Sequence, residues 1–165
     1  MAATKTILAA LMAAGLLGAC SNDAETAATA TGAGGSNLAN SGSGSVRPGS
    51  QEDLAANIGD RVLFDTDRSS VRGDQRSILE RQAGWLRQYP QVQVQLEGHA
   101  DERGTREYNL ALGQRRANAA RDILVASGAS GARIQTISYG KDRPEALGSD
   151  ESAWATNRRA VTLVR

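Results

Sequence analysis

Glu97-Gly98-His99-Ala100-Asp101-Glu102-Arg103-Gly104-Thr105-Arg106-Glu107-Tyr108-Asn109, running on through Leu112 to Arg115-Arg116-Ala117, is the stretch that decides how this chain folds. Just before it, Val92, Val94 and Leu96 alternate with Gln91, Gln93 and Gln95, the period of a half-buried strand. The strand ends at Glu97-Gly98, a loop bracketed by Gly98 and Gly104 follows, and a long helix is predicted from about Thr105 to Ser127, with Gly128 suited to its C-terminal cap. Asn109, Leu112 and Arg116 then share one helical face, roughly two turns long. Asp101 sits at the strand end facing the start of that helix.

Working outward, Asp74 to Tyr89 reads as another helix, with Ile78, Leu79, Ala83 and Leu86 on one face and Pro90 as its stop. Arg61-Val62-Leu63-Phe64 is a short strand running into the loop Asp65-Thr66-Asp67. Arg133 to Tyr139 is a strand, and Ala160 to Val164 is the last. Between these two lie the loop Gly140 to Pro144 and a polar stretch containing Trp154. Strand, helix, strand, helix, strand, strand predicts an α+β domain: one mixed sheet with helices packed on a face. We place it at residues 51–165. The chain has a formal net charge of +1 and only 4% aromatic residues, which argues against nucleic acid as a partner.

The first 19 residues read as an export signal. Lys5 supplies the positive start, and Ile7 to Leu17 is an apolar run too short to span a bilayer, which needs about 20 residues. Leu17-Gly18-Ala19-Cys20 resembles the bacterial lipoprotein box, with Cys20, the only cysteine, as the residue that takes S-diacylglycerol and an N-acyl chain. Ser21 in the next position favours the outer membrane by the sorting rule that accompanies that resemblance. Residues 20–50 hold mostly Ala, Thr, Gly, Ser and Asn, a composition that buries too little to order itself. A flexible linker of this length spans roughly 30 Å as a coil and about 100 Å when stretched.

Chemically, Asp101 and Arg116 are an acid and a base placed to hold a zwitterion. A carboxylate takes an ammonium, and a guanidinium takes a carboxylate by two parallel hydrogen bonds. Each residue also has a plainer reading, Asp101 as a helix cap and Arg116 as a solvated helix charge. Catalysis finds little support. His99 is the only histidine, zinc sites use three or four ligands, and the pair Glu97 with Asp101 is the one glycosidase-like arrangement available. His99 is expected to be structural, hydrogen-bonding the loop.

Separated strings agree in pointing to one family: Val62-Leu63-Phe64-Asp65, Glu97 to Asn109, Leu112 to Ala117, Ser138-Tyr139-Gly140-Lys141 and Asn157-Arg158-Arg159-Ala160-Val161. Together they resemble the OmpA-like peptidoglycan-binding domains, and among these the lipoproteins of the Tol–Pal system, over essentially all of 57–165. The resemblance implies a βαβαββ sandwich with a four-stranded sheet. It implies that Asp101 and Arg116 hold the ends of diaminopimelate, with Asp67 also at the ligand, Thr66 and Asp65 as lesser neighbours, Leu112 against the methylene chain and Asn109 fixing loop or ligand. Arg106 stands where several such relatives carry Pro. No cofactor or metal is implied. The implied partners are peptidoglycan, TolB and other Tol-system proteins, with the outer membrane held through the lipid, the domain in the periplasm and a role in envelope integrity and cell division. A lipid-anchored OmpA-like protein outside the Tol system is the alternative. Arg158 and Arg159, just before the last strand, read either as contacts at the same cleft or as ion pairs with nearby carboxylates.

Overall fold

The computed structural model describes residues 46–165. The expected signal, the lipid site at Cys20 and most of the linker therefore lie outside the described residues. The described chain opens with a turn at 47–50, after which Asp53 accepts hydrogen bonds from the Gly49 N–H (2.8 Å), the Trp85 indole N–H (2.9 Å) and the Asn57 amide (2.7 Å). Asp53 lies in a short helix, α1 (Gln51–Asp53), that continues as a π-helical turn, Leu54–Ile58. This element has no apolar period to betray it in the sequence. It forms because Leu54, fully buried, drops into the core while Asp53 ties the chain to Trp85.

Apart from α4, the remaining elements follow the expected order. They are β1 (Arg61–Leu63), α2 (Gly73–Gln88), β2 (Val94–His99), α3 (Arg106–Ala126), β3 (Ile134–Gly140), α4 (Glu151–Asn157) and β4 (Arg159–Val164). The sheet has four strands in the order β1-β4-β2-β3. β2 pairs parallel with β3 and antiparallel with β4, and β1 pairs antiparallel with β4. The expected α+β class with a mixed four-stranded sheet is what the chain adopts. The core gathers Leu79, Ala83, Trp85 and Leu86 of α2, Ala117, Ala120 and Leu124 of α3, and Val62, Val94, Leu96 and Ala160 of the sheet.

Two differences from the sequence reading matter. The polar stretch with Trp154 is a helix, α4, capped by the Asp150 carboxylate accepting from the Ala153 N–H at 2.9 Å. Gly98 was expected to turn the chain; it is instead a strand residue in close contact with α3. A Cβ there would fall 1.8 Å from the Gly113 carbonyl oxygen, so two glycines let helix and sheet touch backbone to backbone. That contact brings the face of α3 carrying Asn109, Leu112 and Arg116 down beside the C-terminal end of β2. Gly104 does make the turn, with φ +88°.

Candidate functional site

Beyond β2 the chain enters the loop 100–105, which Thr105 closes by accepting a hydrogen bond from the Tyr108 N–H at the start of α3. The α3 cap is thus Thr105 and not Asp101, which removes the plainer reading of Asp101. Arg106 is the first helical residue, the position where proline suits a helix, and it pairs with Asp142 at 2.7 Å. Asn109 is buried and donates to the Arg103 carbonyl at 2.7 Å. Of its two expected tasks, it performs the one of fixing the loop.

A cavity of about 300 Å³ opens between this loop, α3 and the loop after β1. Its lining includes six of the residues expected at the ligand: Asp101, Arg116, Asp67, Asn109, Leu112 and Thr66. Arg103, Gly104 and Tyr108 complete it. Asp65 does not line it; its side chain is exposed and its contribution is a backbone carbonyl. The volume is at the small end of ligand sites and matches one amino-acid-sized group.

Arg116 is the largest fully buried side chain of the fold. It is no solvated charge. Its guanidinium donates to the carbonyls of Arg68 (2.9 Å), His99 (2.7 Å) and Asp65 (3.0 Å), and its central carbon lies 5.2 Å from the centre of the Phe64 ring. Three of its five N–H groups are thereby used. All three partners are neutral, and among the described residues it has no carboxylate in hydrogen-bond contact. Burial pulls its pKa down to about 10, partly offset by the more distant Asp101, so it stays charged at neutral pH. Buried charges are ordinarily paired; this one lies at the cavity wall with Asp101 and Asp67 acting on it only from beyond hydrogen-bond reach.

The same guanidinium shapes the cavity's far wall. Holding the carbonyls of Asp65 and Arg68, it wraps the loop after β1 around itself. Within that loop Asp67 adopts a left-handed φ of +57°, which Asp tolerates better than most residues. Its carboxylate accepts from the Tyr108 hydroxyl across the cavity.

Asp101 is 7% exposed and more crowded than expected. It accepts from the Arg103 N–H (3.1 Å), from Arg103 Nη2 (2.7 Å) and Nε (3.2 Å), and from Arg158 Nη1 (3.4 Å). Burial pushes its carboxyl up, and the Arg103 hydrogen bonds and charge outweigh that and hold it below the usual range. Arg158 is buried and fixed on three sides, by the Phe64 carbonyl, Asp101 and Glu151 (2.6 Å). It does not line the cavity, and it meets the site only through its contact with Asp101. Arg159 answers to the ion-pair reading, with Nε 2.8 Å from Glu145, although the pair's arginine is buried rather than on the surface.

The expectation for His99 needs correction. Its carbonyl serves the loop through Arg116, but both imidazole nitrogens are buried without a hydrogen-bond partner. Glu97 Oε2 stands 3.7 Å from Nε2, beyond hydrogen-bond reach. Burial, with Arg159 adding to it, lowers the imidazole pKa to about 4. Among the described residues, no group of three or more His, Cys, Asp or Glu side chains could hold a metal.

A mixed sheet carrying a small charged cavity at the strand–helix junction defines a binding domain. The OmpA family model matches residues 63–158, and the chain belongs to that family. Within it the chain groups with the peptidoglycan-associated lipoproteins. The peptidoglycan-associated lipoprotein of Mesorhizobium japonicum is 60% identical over 123 residues, 74% of this chain and 73% of that protein. Its counterpart in Rhizobium meliloti is 58% identical over 123 residues, 74% of this chain and 70% of that protein. The crystal structure of the peptidoglycan-associated lipoprotein from Burkholderia pseudomallei superposes with a TM-score of 0.66 at 41% identity, covering 72% of this chain and 100% of that one. The C-terminal domain of Helicobacter pylori MotB, 20% identical with a TM-score of 0.60 over 64% of this chain and 84% of that one, shares the fold. Both curated relatives are named as lipoproteins that associate with peptidoglycan.

Proposed function

We propose that the domain holds the free zwitterionic end of meso-diaminopimelate in uncross-linked peptidoglycan stem peptides, non-covalently, in the cavity between Asp101 and Arg116. The observation that carries this reading is the buried Arg116 guanidinium at the wall of the cavity, hydrogen-bonded only to neutral carbonyls, with no carboxylate in direct contact among the described residues. A ligand carboxylate reaching that wall supplies a direct partner. Asp101 and Asp67 offer acceptors for the α-ammonium, and Leu112 offers an apolar wall for the methylene chain. Few polymers present an intact amino-acid head group away from a chain terminus; this stem does.

We extend the proposal to the setting that the resemblance to the Tol–Pal lipoproteins implies. In it, Cys20 carries the acyl chains, the outer membrane holds the protein by them, and the domain works in the periplasm as part of the Tol–Pal system. There it ties membrane to wall, supports inward movement of the membrane at division, and meets TolB at a surface overlapping the cavity. Sedimentation with purified walls tests the core of this. Diaminopimelate-type peptidoglycan should bring the protein down and lysine-type peptidoglycan should not. Equal recovery with both walls would defeat the proposal. For the anchor, Cys20→Ser should abolish acylation, and acyl chains found on that variant would overturn it.

A further inference from the structure

Asp101, on which the proposed ammonium site depends, is already occupied. The Arg103 guanidinium sits on its outer side, Nη2 to Oδ2 at 2.7 Å and Nε to Oδ1 at 3.2 Å. Arg158 takes the inner side and is locked there, with only 7% of its side chain exposed. Arg103 is different: its side chain is 40% exposed and it lines the cavity. It also has somewhere to go. The guanidinium already lies 4.2 Å from the centre of the Trp154 ring, a surface on which arginine stacks well. Glu102 and Glu151 nearby further favour its charge.

We propose that Arg103 is an internal stand-in for the ligand's ammonium and a determinant of zwitterion specificity. The inference rests on the cavity being the diaminopimelate site. A bare amine reaching Asp101 exchanges one cation for another and gains little. A ligand that also brings a carboxylate gains the unpaired Arg116, and only that ligand displaces Arg103 with net benefit. Once released from Asp101 but still held against Trp154, Arg103 remains at the mouth as a positive charge, which favours a carboxylate there and repels a second cation.

Calorimetric titration of the full chain at low ionic strength, with meso-diaminopimelate and with 1,5-diaminopentane, tests this. The parent should bind meso-diaminopimelate and discriminate strongly against the diamine. Arg103→Met should raise affinity for the diamine by about fivefold, the upper range for a half-exposed ion pair, and change meso-diaminopimelate less, so that the ratio narrows. Arg103→Lys, which keeps the charge, should return the ratio toward the parent's. An unchanged ratio in Arg103→Met, or a loss of meso-diaminopimelate affinity as large as that of Asp101→Ala, would overturn the stand-in while leaving the site itself in place. Failure of the parent to bind meso-diaminopimelate at all would overturn both. Urea midpoints equal to the parent's establish that the variants are folded.

Discussion

Replacing Arg116 by Lys keeps the positive charge and removes the fork, and the structure gives the consequence a size. The guanidinium spans carbonyls from two segments, Asp65 and Arg68 in the loop after β1 and His99 at the end of β2. A lysine ammonium on a narrower head reaches one of these acceptors and leaves two. Each lost bond is charge-assisted and worth about 1.5 kcal/mol, so the variant should be less stable by about 3 kcal/mol. The loop after β1 then loses its hold, and with it the placement of Asp67 and Thr66. Ligand affinity should fall further than stability explains, because the ammonium that remains is drawn to the carbonyls and offers no paired donors to a carboxylate. Urea unfolding gives the first quantity from the midpoint at constant slope, and calorimetry with meso-diaminopimelate below the transition gives the second. A variant within about 0.5 kcal/mol of the parent in stability would refute the anchoring role of these three bonds. Parent-like affinity in a folded Arg116→Lys would remove Arg116 from the site. The same geometry shows why truncation to alanine is a poor probe: it strips both the ligand contact and the clamp on the loop.

Asp101→Asn should weaken binding of diaminopimelate-type wall by about 2–5 kcal/mol, read by calorimetry or sedimentation, because Arg103 and Arg158 then face a neutral group and the ammonium loses its negatively charged partner. Lowering the pH should cost stability through His99. Its unfolded pKa of 6.5 exceeds its folded value of about 4, so the unfolded chain takes the proton first. Stability is whole above pH 6.5 and declines by up to about 3 kcal/mol as the pH falls through 4; in urea titrations across this range His99→Leu should flatten that part of the slope. Gly98→Ala should destabilise by about 3 kcal/mol or more and lower the thermal midpoint, since its Cβ would overlap the Gly113 carbonyl and push α3 off the sheet.

Much of this molecule was legible because its signals are local. The alternation around Val94 and Leu96, the apolar face of α2 and the offsets from Asn109 to Arg116 are short-range patterns that survive in any context. Those patterns yield the order of the main strands and helices, and the string around Asp101 carries most of the residues that line the cavity. α4 escaped notice because it is only seven residues long, though Asp150 followed by Glu151 is a capping signal of modest strength. The turn at 51–58 escaped because Leu54 and Asp53 acquire meaning only against Trp85, 32 positions away from Asp53.

By itself, the sequence determined which residues carry charge at the end of β2 and on the facing turns of α3, and that the spacing allows both to address one ligand. Only the tertiary structure decided what those charges do before a ligand arrives. Arg116 could equally have been a surface charge; it is buried because carbonyls 48 and 51 positions away fold over it. Asp101 could equally have been open; Arg103 and Arg158, the latter 57 positions distant, close on it. Residue type and helical period are properties of a short segment, whereas burial and pairing are set by which distant segments the sheet brings together.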